Sequence, residues 1–266
     1  MRSVLALMRA SFLSAASYRL GIVLSVTGLL ASFIPLYFIS GALQPVVQRS
    51  IQLEGGHYFG FLIVGMSATF MLTAAVTSVP ASLAGNIASG TLEALFVTRT
   101  PLYQILLGMV GYSLAWNTLR SLLLIAGAAV IGVHISWSAA PLVAGIMALM
   151  IVAYFAIGLF AGALVLVFRT SGPLTSAVIG ASGLLGGVYY STSVIPSWLQ
   201  SLSAAVPLTY ALRGIRMLLL GGAPASQVMG DVADLAIFAA GLLSVSIAVF
   251  VAALRHARAT GTLSQY

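Results

Sequence analysis

The sequence predicts an all-α bundle of membrane-spanning helices, and three observations carry that prediction. Of its 266 residues, 61% are hydrophobic and 6% are charged, with a mean hydropathy of +1.11. The surface of a soluble domain needs roughly a quarter of the chain to be charged. The apolar residues fall into runs of about 20, the length that crosses the hydrocarbon core of a bilayer. Between the runs lie short polar segments that carry most of the eleven arginines. Scattered flanking arginines mark the ends of spans, whereas a nucleic-acid surface needs a clustered basic face.

Six runs are read as spans. Leu20–Leu43 is the first, bent or ended near Pro35, and it is too long for a cleaved signal segment. Tyr58–Leu83 is the second, with Pro80 near its end, followed by Ile105–Val133 and Pro141–Phe168. Leu174–Tyr190 is the fifth and Ala233–Leu254 the sixth. With the N-terminus inside, Arg2, Arg9, Arg19, Arg99, Arg169, Arg255 and Arg258 are cytoplasmic, while Arg49, Arg213 and Arg216 lie outside. That bias places both termini in the cytoplasm, as an even number of spans requires. Ahead of the first span, residues 1–18 put Val4, Leu5, Met8, Phe12, Ala15 and Ala16 on one helical face with Arg2 and Arg9 at its edge. This is the pattern of an amphipathic interfacial helix whose arginines reach headgroups. The rest, 19–266, forms the membrane domain.

Two segments refuse the alternation of span and short loop. "SGTLEALFVTRTPLYQ", between the second and third spans, is too polar to cross. Thr91 can cap a short helix there, with Glu93 in the first turn where the dipole favours an anion. Thr100 and Pro101 then restart the chain as N-cap and first helical residue of the third span. "VIPSWLQSLSAAVPLTYALRGIRMLLLGG", about 194–222, is apolar, but Pro196 and Pro207 cut it into two helices too short to span. A re-entrant hairpin satisfies both facts, provided protein buries its irregular backbone.

Composition also excludes chemistry. The chain has no cysteine and no lysine, so it has no thiol nucleophile, no Schiff-base lysine and no P-loop. The four acids, Glu54, Glu93, Asp231 and Asp234, map to loops or span ends, where an ion-coupled transporter usually places one at mid-membrane. His57, His134 and His256 are dispersed and read as ordinary loop residues, although the first two can meet on the outer face. No paired acids, nucleophile–base pair or metalloprotease motif appears, so no catalytic site is expected.

In this order, the N-terminal helix, the six spans, "GTLE" with the following T-x-x-P, and "PLTYALRGIR" resemble the permease subunit of a type-2 ATP-binding-cassette (ABC) exporter. "VTRTP" departs from the commoner shorter Thr-Pro form of the family. The resemblance implies a coupling helix at about 91–100, with Glu93 and Arg99 as polar contacts and Leu92, Leu95 and Phe96 as apolar anchor to an ATPase. It implies a pathway between two permease copies, a homodimer or related heterodimer, docked on two ATP-binding subunits. ATP and Mg would then sit on that partner and no cofactor on this chain. It also implies a bacterial inner-membrane location. The cargo is expected to be lipophilic or amphipathic: a drug, natural product or lipid. A polysaccharide or glycolipid is the alternative within the class, and an ion-coupled transporter or membrane scaffold the alternative outside it.

Several single residues carry more than one reading. Arg120, mid-way along the third span, is a pathway residue with Asn117, a partner for an anionic headgroup, or a structural cation held by carbonyls, Asn117 or a neighbouring span. Gly180, Gly183, Gly186 and Gly187 permit close helix approach, or flexibility near a gate. Tyr189, Tyr190, Trp198 and Tyr210 suit an interfacial belt or an outer gate. Arg213 and Arg216, three residues apart on one helix side, bind headgroups, pair with Asp231 or Asp234, or line the exit.

Overall fold

A computed structural model of the chain describes residues 19–90 and 102–259, and among these eight α-helices occur. They are α1 (Arg19–Val47), α2 (Tyr58–Ala88), α3 (Leu102–Val130), α4 (Ala140–Phe168), α5 (Gly172–Leu185), α6 (Ser197–Ser203), α7 (Pro207–Leu219) and α8 (Met229–Ala259). Five of them, α1 to α4 and α8, are long and apolar enough to cross a membrane. The expected N-terminal helix 1–18 and coupling helix 91–100 lie outside the described residues.

The boundaries correct the sequence reading in places. The first helix neither ends nor breaks at Pro35, but continues through Pro35 and Pro45 to Val47. In lipid a helix keeps every backbone bond it can, because no water takes the released groups. The third span stops at Val130 rather than Val133. There Gly132 adopts φ 102°, and the amides of Gly132 and Val133 bond back to the carbonyls of Ala129 and Ala128. That pair of bonds closes a helix C-terminus with glycine in the left-handed region. The fifth span is the largest departure. Its helix has 14 residues and ends at Leu185, five residues before Tyr190. At 1.5 Å per residue it is about 21 Å long, short of the ~30 Å hydrocarbon core. Gly187, at φ 76°, turns the chain away just beyond it.

The helices are similarly apolar but unequally covered. The apolar windows of α2 and α4 are 78% and 56% buried, against 11% for α1, 17% for α3 and 22% for α8. The central pair α2 and α4 is therefore flanked by α1 and α3 on one side and α8 on the other. Close approach of the central pair depends on Gly158, where a Cβ would lie 2.5 Å from the carbonyl oxygen of Ala75. In lipid such packing supplies the association that burial from water supplies elsewhere. One core joins Ala68, Leu72 and Ala75 of α2 to Met150 and Tyr154 of α4, under Leu208 and Leu212 of α7. A second, toward the opposite end, joins Val79 and Leu83 to Leu166, Phe250 and Leu254. A third holds α1 to α2 and α3 through Leu29, Phe33, Ile63 and Leu124.

The helix α7 closes one end of this bundle. Pro207 occupies its first turn, where the missing amide costs nothing. Leu208, Ala211, Leu212, Ile215, Leu218 and Leu219 face the core. Their 3–4-residue spacing is that of an amphipathic helix lying on an apolar floor. Pro196 caps the short α6 before it, so the two prolines divide this segment as the sequence indicates.

Candidate functional site

The capped end holds the densest polar network among the described residues, centred on Arg216. Its side chain is 2% exposed. One terminal nitrogen donates to the Gly187 carbonyl at 2.8 Å and reaches Glu54 at 3.4 Å. The other donates to the carbonyls of Val188 at 3.0 Å and Phe61 at 3.1 Å, and the guanidinium lies 3.3 Å from the Phe61 ring centroid. Gly187 and Val188 follow the C-terminus of α5, the negative end of that helix. Gly65 makes the space: a Cβ there would stand 2.9 Å from the guanidinium and 2.5 Å from the Val188 oxygen.

Glu54 comes from a 3₁₀ turn, Gln52–Glu54, between α1 and α2. Gln44 braces that connection, donating to the Gly56 carbonyl at 2.6 Å and accepting from the Tyr58 amide at 2.7 Å. Ser191 donates to the second oxygen of Glu54 at 3.3 Å, and the Tyr58 hydroxyl donates to the Tyr189 carbonyl at 2.8 Å. Burial raises the Glu54 pKa above the ordinary carboxylate value, and the attraction of Arg216 and the Ser191 bond only partly oppose it. Sequence reasoning placed Glu54 in a loop and missed its role. Its partner lies 162 residues away, and no local pattern announces such a pair.

The two arginines of α7, three residues apart on one helix side, divide. Arg213 is half exposed and grips Asp231, in the first turn of α8, through two nitrogens. The fork geometry matches a carboxylate on two parallel bonds. This ties α7 to α8, as Arg216 ties it to α2 and the Gln52–Glu54 turn. Asp234 is exposed. Between these ion pairs opens a cleft of about 420 Å³, lined by Glu54, Ser191, Gln200, Thr209, Tyr210 and Arg213 among others.

The aromatic candidates separate as well. Trp198 and Tyr189 are 65% and 51% exposed. The Tyr190 hydroxyl donates to the Leu184 carbonyl, and Tyr210 donates to Ala204 at 2.8 Å with its ring 5.8 Å from Phe238. Only Tyr210 lines the cleft. Of the four glycines, Gly186 packs so closely that an added Cβ would lie 2.7 Å from Leu208 of α7, whereas one at Gly180 or Gly183 would have nothing within 4 Å. The packing reading therefore fails within this chain for Gly180 and Gly183, which stand on the uncovered side of α5.

Arg120 is held differently from either α7 arginine. A terminal nitrogen donates to the Ser25 hydroxyl of α1, and the guanidinium lies 5.5 Å from the Trp116 ring centroid. Its Nε is buried without an acceptor, as is that of Arg216. Asn117 does not join it, donating instead to the Ser113 carbonyl at 2.9 Å. A neighbouring span thus supplies the partner. The coupling candidates Leu92, Glu93, Leu95, Phe96 and Arg99 lie outside the described residues. No group of three or more His, Cys, Asp or Glu gathers among the described residues in a way that could hold a metal ion.

Comparison with known proteins agrees with this architecture. The chain is 29% identical over 189 residues to the "Inner membrane transport permease YadH" of Escherichia coli strain K12, covering 70% of this chain and 72% of that one. The permease of the same name from Shigella flexneri matches to the same extent. The family model described as "ABC-2 type transporter" matches residues 2–220, most of the chain. An apolar multi-helix bundle and a sequence match over most of the chain lead to one conclusion: the chain belongs to the ABC-2 type transporter membrane family.

Proposed function

We propose that this chain is the permease subunit of an ATP-driven exporter, in which two copies, identical or related, line a pathway and two separate ATP-binding subunits supply the energy. The family match across residues 2–220 carries this reading. The missing lysine supports it, because these 266 residues then hold no P-loop for ATP and Mg, and this reading assigns that site to the partner subunits. The likeness to an inner-membrane permease favours an inner-membrane location. Arginine distribution favours cytoplasmic termini, which puts the α6–α7 cap outside.

On this reading α5 makes a short sixth crossing that ends beneath the cap, and the hairpin of α6 and α7 re-enters from the outer face. The uncovered side of α5, with Gly180 and Gly183, is where a second copy would approach closely. Residues 91–100 form the coupling helix, with Glu93, Arg99, Leu92, Leu95 and Phe96 against the ATPase, and residues 1–18 lie beside it in the interface. The aromatics Tyr189, Tyr190, Trp198 and Tyr210, with Arg213, border the exit, and Arg216 holds that border in place. Arg120 and Asn117 stand deeper, with Arg120 as the positive group along the wall. An amphipathic cargo suits this mixture of apolar faces and a polar mouth.

The test is reconstitution. The chain should co-purify with an ATP-binding subunit, and Glu93→Arg or Phe96→Asp should leave ATP hydrolysis running while transport stops. Substrate flux through the purified chain alone, driven by an ion gradient, would sink the proposal and support a secondary transporter.

A further inference from the structure

The cleft beside Arg213 has a lining whose hydrogen-bonding character is one-sided. The hydroxyl of Ser50 donates to the Val47 carbonyl, that of Ser191 to Glu54, and that of Ser203 to the Leu185 carbonyl. Thr209 donates to the Ser203 carbonyl, Tyr210 to the Ala204 carbonyl, and the Gln200 amide nitrogen to the Ile195 carbonyl. A hydroxyl carries one donor and two lone pairs, and an amide oxygen is an acceptor alone. With these donors directed into the protein, these six side chains offer the cleft mainly acceptor oxygens.

The charges are paired off: Glu54 with Arg216, and Arg213 with Asp231 through two of its five N–H groups. An anion entering the cleft would meet these lone pairs and an arginine whose charge Asp231 already offsets, with its three other N–H groups as the donors left to it. A group bringing N–H or O–H donors would meet partners on several sides. Leu53 and Met217 add apolar surface to the same cleft, and the exposed Trp198 and Leu202 lie on the adjoining α6. At about 420 Å³ the space is within the ~300–1,000 Å³ of small-molecule sites.

We propose that this cleft is a binding site for the head group of an amphiphile rich in hydrogen-bond donors, carrying hydroxyls or a primary ammonium, and that it discriminates against anionic heads. Its identification as cargo on its way out rests on the exporter reading above, whereas the binding does not. The site therefore has its own test, made without any ATP-binding subunit.

The intact chain in lipid nanodiscs is titrated with four octyl probes below their micelle concentrations: octyl glucoside, octylammonium, octyltrimethylammonium and octyl sulfate. The tails are the same, so partition into the bilayer is a shared background. Octyl glucoside and octylammonium should bind about tenfold or more tightly than octyltrimethylammonium, which has the same charge as octylammonium but no donor, and than octyl sulfate. Gln200→Ala combined with Tyr210→Phe, both at positions reached by solvent, should weaken octyl glucoside about tenfold and leave octyltrimethylammonium unchanged. Equal binding of all four heads, tightest binding of the sulfate, or an unaffected double variant would overturn the proposal. Nanodiscs containing a glycosyl diacylglycerol distinguish the source. Competition by that lipid makes the ligand a resident of the outer leaflet, and its absence makes it a mobile amphiphile. A chain that binds donor-rich heads but has no ATPase partner would remove the exporter reading and leave the site.

Discussion

Arg216 and Arg120 are both cations in an apolar bundle, yet they occupy opposite environments. Arg216 lies where α5 has just ended, and the unpaired carbonyls of that terminus, together with Glu54 and the Phe61 ring, surround it. Arg120 lies inside a continuous helix, whose carbonyls are already committed to their own ladder. It finds one hydroxyl, from Ser25, and the face of Trp116. A charge is well accommodated in a membrane protein where backbone is interrupted, because interruption is what frees acceptors. The capped end is thus built to hold charge, and the middle of α3 tolerates it.

That contrast can be broken by substitution. The largest effect should come from Arg216→Met, which strands Glu54 and three carbonyls and should cost about 3–5 kcal/mol, read as a lowered thermal midpoint in lipid. Adding Glu54→Gln should recover part of the loss. Recovery of none would mean that the carbonyl bonds, rather than the ion pair, hold the cap. Arg120→Met should act in the opposite sense. It removes a charge whose insertion costs about 2.5–3.5 kcal/mol at a helix centre, so insertion should improve and the midpoint should not fall. A midpoint lowered as far as that of Arg216→Met would erase the distinction between the two sites.

Proton linkage sharpens the comparison. The folded-state pKa of Glu54 lies above its ordinary value of 4.5, so its stabilising contribution is greatest below that value. It is lost as pH rises through the raised folded value. Glu54→Gln should flatten this component of the pH–stability profile, while Arg120→Met should leave it intact. The smallest effect belongs to Arg213→Ala. The arginine is half exposed and the buried Asp231 it would leave lies in the first turn of α8, where the helix dipole still supports a carboxylate, so about 1–2 kcal/mol is expected, and added salt should reduce the difference.

The same reasoning explains what could be read in advance. Prolines at 196 and 207 divide a segment too short for two crossings, and the structure contains the two short helices they delimit. Tyr58 and Phe168 bound helices where expected. The early end of α5 was not legible, because Gly186 and Gly187 are also common within membrane helices and composition does not distinguish a turn from a packing face. Among site residues, Arg213 and its pairing with an acid of the last helix were among the anticipated alternatives. Glu54 was not, since its meaning comes wholly from a partner distant in sequence.

The sequence by itself determined that this chain is a lipid-embedded helical bundle with two segments that do not span, one too polar and one cut by prolines, because lipid leaves a backbone few options and hydropathy records them directly. It also determined that these 266 residues carry no P-loop, because that motif needs a lysine and none is present. Only the tertiary structure decided which equally apolar helices are central, α2 and α4, and which stay uncovered. Only it decided that of two arginines three residues apart one is buried as an anchor and the other borders a cleft. Apolar side chains look alike to lipid and to protein, so their sequence cannot say which neighbour they meet; the approach of backbones at Gly158 and Gly65 does.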